Sequence, residues 1–259
     1  MKIVIVTSDR FGIASIILPE LCLNPQLKII KVLTYKRNSP DRTKEFKRKL
    51  KKISRIGLLG TFNGIRLRKW YSFGSVKDLQ VICNENNIQF SEMNYLNHVE
   101  TIKIFKQTNS DLGLSLGNGY IPKKIFSIPK FGMINIHTEL LPGFRGAADI
   151  IWPIYENIKE TGFTIHQISS KIDMGDILYQ KKYPIKFYAS LGETVLKNRG
   201  EILPDIPRAF SHVCENYLDL LKNTSAQGNG NTYTTPTYSQ FLQMQKNNLK
   251  TYQETKLKD

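Results

Sequence analysis

The sequence predicts an α/β fold: a Rossmann-like, mostly parallel sheet with flanking helices, followed by a short, mainly helical or irregular C-terminal extension. Three observations point there. Apolar runs of strand length alternate along the chain with segments whose apolar residues recur at helical spacing. Hydrophobic residues are 41% and charged residues 23% of 259, an ordinary composition for a chain that buries a sizeable core. No uninterrupted apolar stretch reaches the roughly 18 residues of a membrane span. The expected division is 1–189 for the main domain, with an insertion at 36–74, and 190–259 for the extension.

Lys2–Thr7 is an apolar run and reads as a buried first strand. Ser8-Asp9-Arg10-Phe11-Gly12 turns into a helix over about 13–22, and 27–34 is a second strand. Residues 75–87 place Val76, Leu79, Ile82 and Cys83 on one helical face, with Ser75 as N-cap. A strand at 88–93, a helix at 98–108 and a strand at 111–116 follow, the last ending at Gly117-Asn118-Gly119. Pro122 opens a short helix, 132–137 is a strand and 147–158 a helix. Strands at 162–169 and 176–184 close the main domain. Residues 190–222 are helical but interrupted by Pro204 and Pro207, so two helices or a bent one are expected. Residues 225–237, rich in Gly, Asn, Thr and Pro, read as loop. The polar stretch 238–259 forms one terminal helix or frays. The first turn has no Gly-x-Gly-x-x-Gly, so a dinucleotide cofactor has no support.

The formal net charge is +15 and it is unevenly placed. Residues 28–69 hold 15 Lys or Arg against two acids, Asp41 and Glu45, a net +13 that leaves the rest of the chain at +2. Cys22, Cys83 and Cys214 are scattered and form no Cys-x-x-Cys pair. That fits buried free thiols in a reducing cytoplasm and argues against a disulfide framework or a zinc site. The opening run is too short for a secretory signal. A cytoplasmic protein is expected.

Asn135-Ile136-His137 ends the apolar run that begins at Met133. Residues two apart on a strand share a face, so Asn135 and His137 project together at the strand's C-terminal end, where open α/β sheets hold ligands. Leu140-Leu141-Pro142-Gly143-Phe144-Arg145-Gly146 follows, then Ile172-Asp173-Met174-Gly175-Asp176-Ile177. A lone strand His is more often a core or surface residue than a catalyst; the ordered set is what points to chemistry. It resembles the 10-formyltetrahydrofolate-dependent formyltransferase family. There a strand carries Asn-x-His, a Leu-Leu-Pro-x-x-Arg-Gly loop follows, and a later loop supplies an Asp. Leu114-Ser115-Leu116-Gly117 with Tyr120-Ile121-Pro122 resembles the family too. The resemblance is strong over 111–184, weaker but topologically consistent over 1–35 and 75–110, and absent over 36–74. Asp149 departs from the family's frequent Gly-Ala-Ala-Pro.

The resemblance implies metal-free transfer of a formyl group from the cosubstrate 10-formyltetrahydrofolate to an amine. Asn135 would donate its amide N–H to the oxygen that gains negative charge. His137 would act as general base or proton shuttle, imidazole being the side chain whose ordinary pKa lies near neutrality. Asp173 would orient His137 or a bound water. Leu116, Gly117, Tyr120, Ile121 and Pro122 would border the pterin. Leu141, Pro142, Arg145, Gly146 and Asp176 would complete the folate side, with bracing of its own loop an equal alternative for Arg145. His137 and Asp173 have no second His or Cys at ligand spacing.

The chain is most similar to the sugar N-formyltransferases of that family. The resemblance thus implies a nucleotide-linked amino sugar as acceptor, in surface-glycan (O-antigen) synthesis. Methionyl-tRNA formyltransferases usually carry a C-terminal β-barrel, for which the stretch after Ala189 reads as too short and too helical. They also carry a basic loop after the second strand, which keeps tRNA as the alternative acceptor. A non-catalytic folate-binding module is a third. The insertion, with Lys47-Arg48-Lys49 and then Phe62, Ile65, Trp70 and Phe73, has three readings. It is a basic helix followed by one packed on the domain or a second subunit, an interfacial helix on anionic lipid at the inner membrane surface, or a tRNA-binding element. A homodimer through the C-terminal helices is a further arrangement consistent with the pattern.

Overall fold

The computed structural model describes residues 1–35 and 42–257; residues 36–41 of the basic insertion, residues 258–259 and the side chains of Arg42 and Lys44 lie outside the described residues. In chain order the elements are β1 (Lys2–Thr7), α1 (Ile13–Leu23), β2 (Lys28–Tyr35), α2 (Arg42–Trp70), α3 (Leu79–Glu85), β3 (Gln89–Met93), α4 (Val99–Gln107), β4 (Leu112–Leu116), α5 (Lys123–Phe126) and β5 (Met133–His137). Then come β6 (Phe144–Gly146), α6 (Ile151–Tyr155), β7 (Glu160–Gln167), β8 (Ile177–Pro184), α7 (Leu191–Ile202), α8 (Ile206–Glu215), α9 (Tyr217–Lys222), β9 (Asn231–Tyr233) and α10 (Tyr238–Lys256).

Among the described residues the main sheet runs in the order β3-β2-β1-β4-β5-β7-β8. Strands β1 to β5 pair in parallel, whereas β7 and β8 are antiparallel to their neighbours. Both faces are covered, as a parallel sheet requires. Alternate residues of β1 enter different cores: Ile3 and Ile5 pack with Ile17 and Leu21 of α1 and Phe210 of α8, while Val4 and Val6 pack with Phe105 of α4 and Ile125 of α5. Phe210 is wholly buried; truncating such a ring costs about 3–5 kcal/mol. The helical region after residue 190 therefore contributes directly to the core under the sheet.

The strand order reverses between β1 and β4, which opens a crevice beyond their C-terminal ends. Gly117 leaves β4 there with φ +71, a left-handed conformation that suits glycine. Asn118 ties the two strand ends together, its amide donating to the Val6 carbonyl at 2.7 Å and to Ser115 Oγ at 2.9 Å.

Several elements differ from the sequence expectation. The helix expected over 75–87 is α3, capped by Asp78 rather than Ser75. The Asp78 carboxylate accepts the Gln80 N–H and also pairs with Arg10 at 2.7 Å, so one side chain serves both cap and ion pair. The helix expected over 147–158 shrinks to α6, because Ala148 (φ 73) and Ile150 (φ 65) are left-handed. The loop expected over 225–237 contains β9, which pairs with β6. Residues 190–222 form α7, α8 and α9, and the tail is the ordered helix α10, started by a Thr237–Gln240 capping box.

Helix α2 breaks at Gly57 (φ 70, ψ 174). Its second part is anchored: Leu67 and Trp70 are buried in a separate cluster with Phe241 and Met244 of α10 and Leu191 and Val195 of α7. Among the described residues no helix is long and apolar enough to cross a membrane.

Candidate active site

Strand β5 carries Asn135 and His137, both half-buried, at the C-terminal edge of the sheet. The His137 Nε2–H donates to the Phe144 carbonyl at 2.6 Å. A carbonyl oxygen only accepts, so in the neutral ring the proton sits on Nε2 and Nδ1 carries the lone pair. That Nδ1 lies 3.7 Å from Asp173 Oδ2. Asp173 is held by backbone: its Oδ2 accepts the Gly146 N–H at 3.0 Å, and its own φ is 52. A left-handed non-glycine residue costs about 1 kcal/mol or more and persists where its surroundings over-determine it. Gly146 has φ +99, and a Cβ there would lie 2.1 Å from the Tyr233 carbonyl oxygen. Only glycine fits between Asp173 and β9.

A second imidazole shares Asp173. His166 on β7 lies opposite Asn135 in the antiparallel register, and its Nε2 is 3.8 Å from Asp173 Oδ1. Its Nδ1–H donates to the Gln167 carbonyl at 2.8 Å, which leaves the Nε2 lone pair buried without a hydrogen bond. Burial pushes its pKa down to about 4, against the pull of Asp173. Sequence reasoning missed His166, because the signal is a strand pairing and not a local motif.

Asn135, His137 and Asp173 line one cleft of ≈ 860 Å³, together with Gly117, Tyr120 and Gly146. Among the described residues the Asn135 side chain makes no hydrogen bond, so its amide is free to serve a bound group. Tyr120 and Ile121 also border a side slot of ≈ 40 Å³ with Ile172. The other expected contact residues lie elsewhere. Leu116 is core. Pro122 caps α5. Leu141 is buried and gives its N–H to Thr164. The Pro142 carbonyl packs against Gly230. Asp176 lines a different cavity, of ≈ 450 Å³, beside Phe126 and Met133. Arg145 is buried, and its guanidinium bonds Gln227 Oε1 (3.1 Å) and the carbonyls of Gly228 (2.9 Å) and Gly230 (3.3 Å). Gln227 in turn donates to the Gly175 carbonyl at 2.7 Å. Arg145 thus fastens the 227–230 segment to the Asp173 loop.

The wall at 147–150 rests on buried charge. Asp149 and Arg199 form a buried ion pair, and the Tyr71 hydroxyl donates to the Asp149 carbonyl at 2.7 Å. The Asp149 departure from the family pattern is thereby explained: α7 supplies its cation. Glu139 accepts the Leu140 and Ile150 N–H groups at 3.0 and 2.8 Å, and burial pushes its pKa up to about 8. Among the described residues no group of His, Cys, Asp or Glu is arranged to hold a metal ion.

Lys52 and Arg55 of α2 also line the main cleft. The basic insertion therefore reaches the site, which charge counting alone does not reveal.

Part of the sequence and the overall fold are shared with known proteins. Residues 78–203 match the formyl transferase family. The methionyl-tRNA formyltransferase of Ehrlichia chaffeensis is 42% identical over 109 residues, which is 41% of this chain and 36% of that protein. The chain thus spans well under half the length of this relative. Among solved structures, glycinamide ribonucleotide transformylase 1 from Symbiobacterium toebii superposes with a TM-score of 0.58 at 14% identity, covering 89% of this chain and 92% of that one. A sugar 3-N-formyltransferase solved with dTDP and 5-N-formyl-THF gives 0.51 at 20% identity, covering 90% of this chain and 69% of that one. These likenesses establish the shared fold. Residues 78–203, which match the formyl transferase family, hold Asn135, His137 and Asp173.

Proposed function

We propose that the protein moves the formyl group of 10-formyltetrahydrofolate to the amine of a nucleotide-linked amino sugar, with Asn135, His137 and Asp173 as the catalytic residues. The convergence of these three on one cleft carries the reading. The residues fit the cosubstrate: an unpartnered amide donor stands beside a base in a half-buried site. Asn135 donates to the formyl oxygen as it gains negative charge. His137 Nδ1 takes the proton of the attacking amine and returns it to the departing folate nitrogen. The new C–N bond forms as the formyl C=O π pair moves onto oxygen; the pair then returns as the bond to the folate nitrogen breaks, giving the formamide and tetrahydrofolate. Asp173, fixed by Gly146, stabilises the imidazolium. On this reading 1–189 is the catalytic unit, and 190–259 is an extension that helps build its core and acceptor wall.

The sugar acceptor is supported by the cleft's far wall. Thr232, Tyr233 and Thr235 of the C-terminal segment face the cleft. The chain after residue 190 is built of helices and one short strand packed on the main domain. The likeness to a sugar 3-N-formyltransferase fold agrees. A second acceptor, methionyl-tRNA, is favoured by the sequence relatives and by the basic α2. Incubating the enzyme and 10-formyltetrahydrofolate with nucleotide-linked amino sugars and, separately, with methionyl-tRNA decides between them. The expected result is a formyl mass gain on the nucleotide sugar; a gain on methionyl-tRNA alone would overturn the sugar assignment.

Helix α2 also supports contact with an anionic membrane surface. Leu58, Phe62 and Ile65 are exposed at helical spacing beside Arg66 and Lys69. Trp70, which the lipid reading of the insertion placed on that face, is instead buried against Phe241 (ring centroids 6.0 Å apart), as in the reading of a helix packed on the domain.

A further inference from the structure

Lys52 stands at the junction of two clefts. It lines the catalytic cleft with Arg55, and it lines a second cleft of ≈ 640 Å³ with Arg68. Ala147 and Thr235 are likewise common to both, so the two spaces meet there. Among the described residues none of the three cations has a carboxylate partner, whereas Lys49 of the same helix pairs with Glu45 at 2.7 Å. Partial burial and the charges of Arg68 and Arg55 all push the Lys52 pKa down. Like charges held together without a counter-charge repel one another, and a bound dianion relieves that repulsion.

The cluster is built on a fixed element. Arg68 lies beside buried Leu67, and Trp70, one turn-end further on, abuts Gly192 so closely that a Cβ there would lie 2.9 Å from the indole. Ile56, next to Arg55, is buried. The second cleft beyond the cluster has aromatic walls, with Phe73 and the exposed Phe11, and a carboxylate at Asp9. Apolar rings and an acceptor beside a cationic neck are the chemistry of a nucleoside diphosphate site.

We propose that Lys52, Arg55 and Arg68 bind the diphosphate of the nucleotide-linked acceptor, with its base in the ≈ 640 Å³ cleft and its amino sugar beside His137. This rests on the proposed sugar acceptor, but binding of the diphosphate is measurable without turnover. The helix α2 is then part of the active site, and its break at Gly57 lies between the first two cations and the third.

The test is calorimetric titration of the full chain with dTDP, UDP, GDP and the matching nucleosides. The diphosphates are expected to bind, and the nucleosides at least about tenfold more weakly, as loss of charge-assisted bonds implies. Lys52→Ala, Arg55→Ala and Arg68→Ala are each expected to weaken the diphosphate about tenfold, leave 5-formyltetrahydrofolate binding unchanged and keep the circular dichroism of the wild type. Lys49→Ala is expected to change nothing. Wild-type affinity in all three cleft variants would overturn the site. So would absence of diphosphate binding together with tRNA binding that depends on the same three residues. Diphosphate binding through the cluster without formylation of any nucleotide sugar would retain the anion site and remove the acceptor assignment instead.

Discussion

The Asp173 carboxylate accepts a hydrogen bond from the backbone N–H of Gly146 at 3.0 Å, which ties the loop after β7 to the strand β6. One oxygen thus meets Gly146 and His137, while the other meets His166. The position of the acid is set by main chain, so it survives changes in either imidazole.

Replacing Asn135, His137 or Asp173 by Ala is expected to lower turnover by about a hundredfold or more, as loss of an oxyanion donor or general base does. Melting temperature and circular dichroism are expected to stay close to wild type. Near-normal turnover in any one variant removes that residue from the mechanism.

Gly146→Ala is expected to lose about as much activity as Asp173→Ala although it removes no reacting group. The added Cβ would collide with the Tyr233 carbonyl, and φ +99 is closed to alanine. The double variant with Asp173→Ala should then be little worse than either single one. Additive losses would show that Gly146 acts independently of Asp173.

Two buried groups give stability opposite dependences on pH. Glu139 has its folded pKa raised from 4.5 to about 8, so it favours the folded state most at low pH and loses that contribution as pH climbs through this range. His166 has its folded pKa lowered from 6.5 to about 4, so its contribution is complete above the higher value and is lost as pH falls toward the lower. Melting curves of Glu139→Gln are expected to lack the decline on the alkaline side, and those of His166→Gln the decline on the acid side. A parallel displacement of the whole pH profile in either variant contradicts the assignment.

Sedimentation with anionic liposomes separates the two faces of α2. Phe62→Ser with Ile65→Ser is expected to abolish binding without changing the melting temperature, since both side chains are exposed. Trp70→Ala is expected to destabilise the fold by about 3–5 kcal/mol, as truncation of a buried ring does. Undiminished liposome binding by the double variant removes the membrane role.

Much of this was legible in the residues. The apolar runs of β1, β4 and β5 carry their own period, and Asn135 and His137 share a face by spacing alone. What the sequence hid is non-local. Apolar strands do not encode their direction, so the antiparallel pairing that brings His166 opposite Asn135 was not readable. The Asp78 cap outcompetes Ser75 because Arg10, far away in sequence, pairs with it. Arg145 carries a family motif, yet its donors serve the distant segment 227–230. Lys52 and Arg55 belong by sequence to one more stretch of basic helix, and only the tertiary fold puts them on the cleft.

The most direct measurement is the mass of a nucleotide-linked amino sugar after incubation with 10-formyltetrahydrofolate and either wild-type enzyme or His137→Ala. A formyl gain with wild type that falls about a hundredfold or more in the variant is the expected result. No gain with any nucleotide sugar, alongside formylation of methionyl-tRNA, would contradict it and make α2 an RNA-binding element.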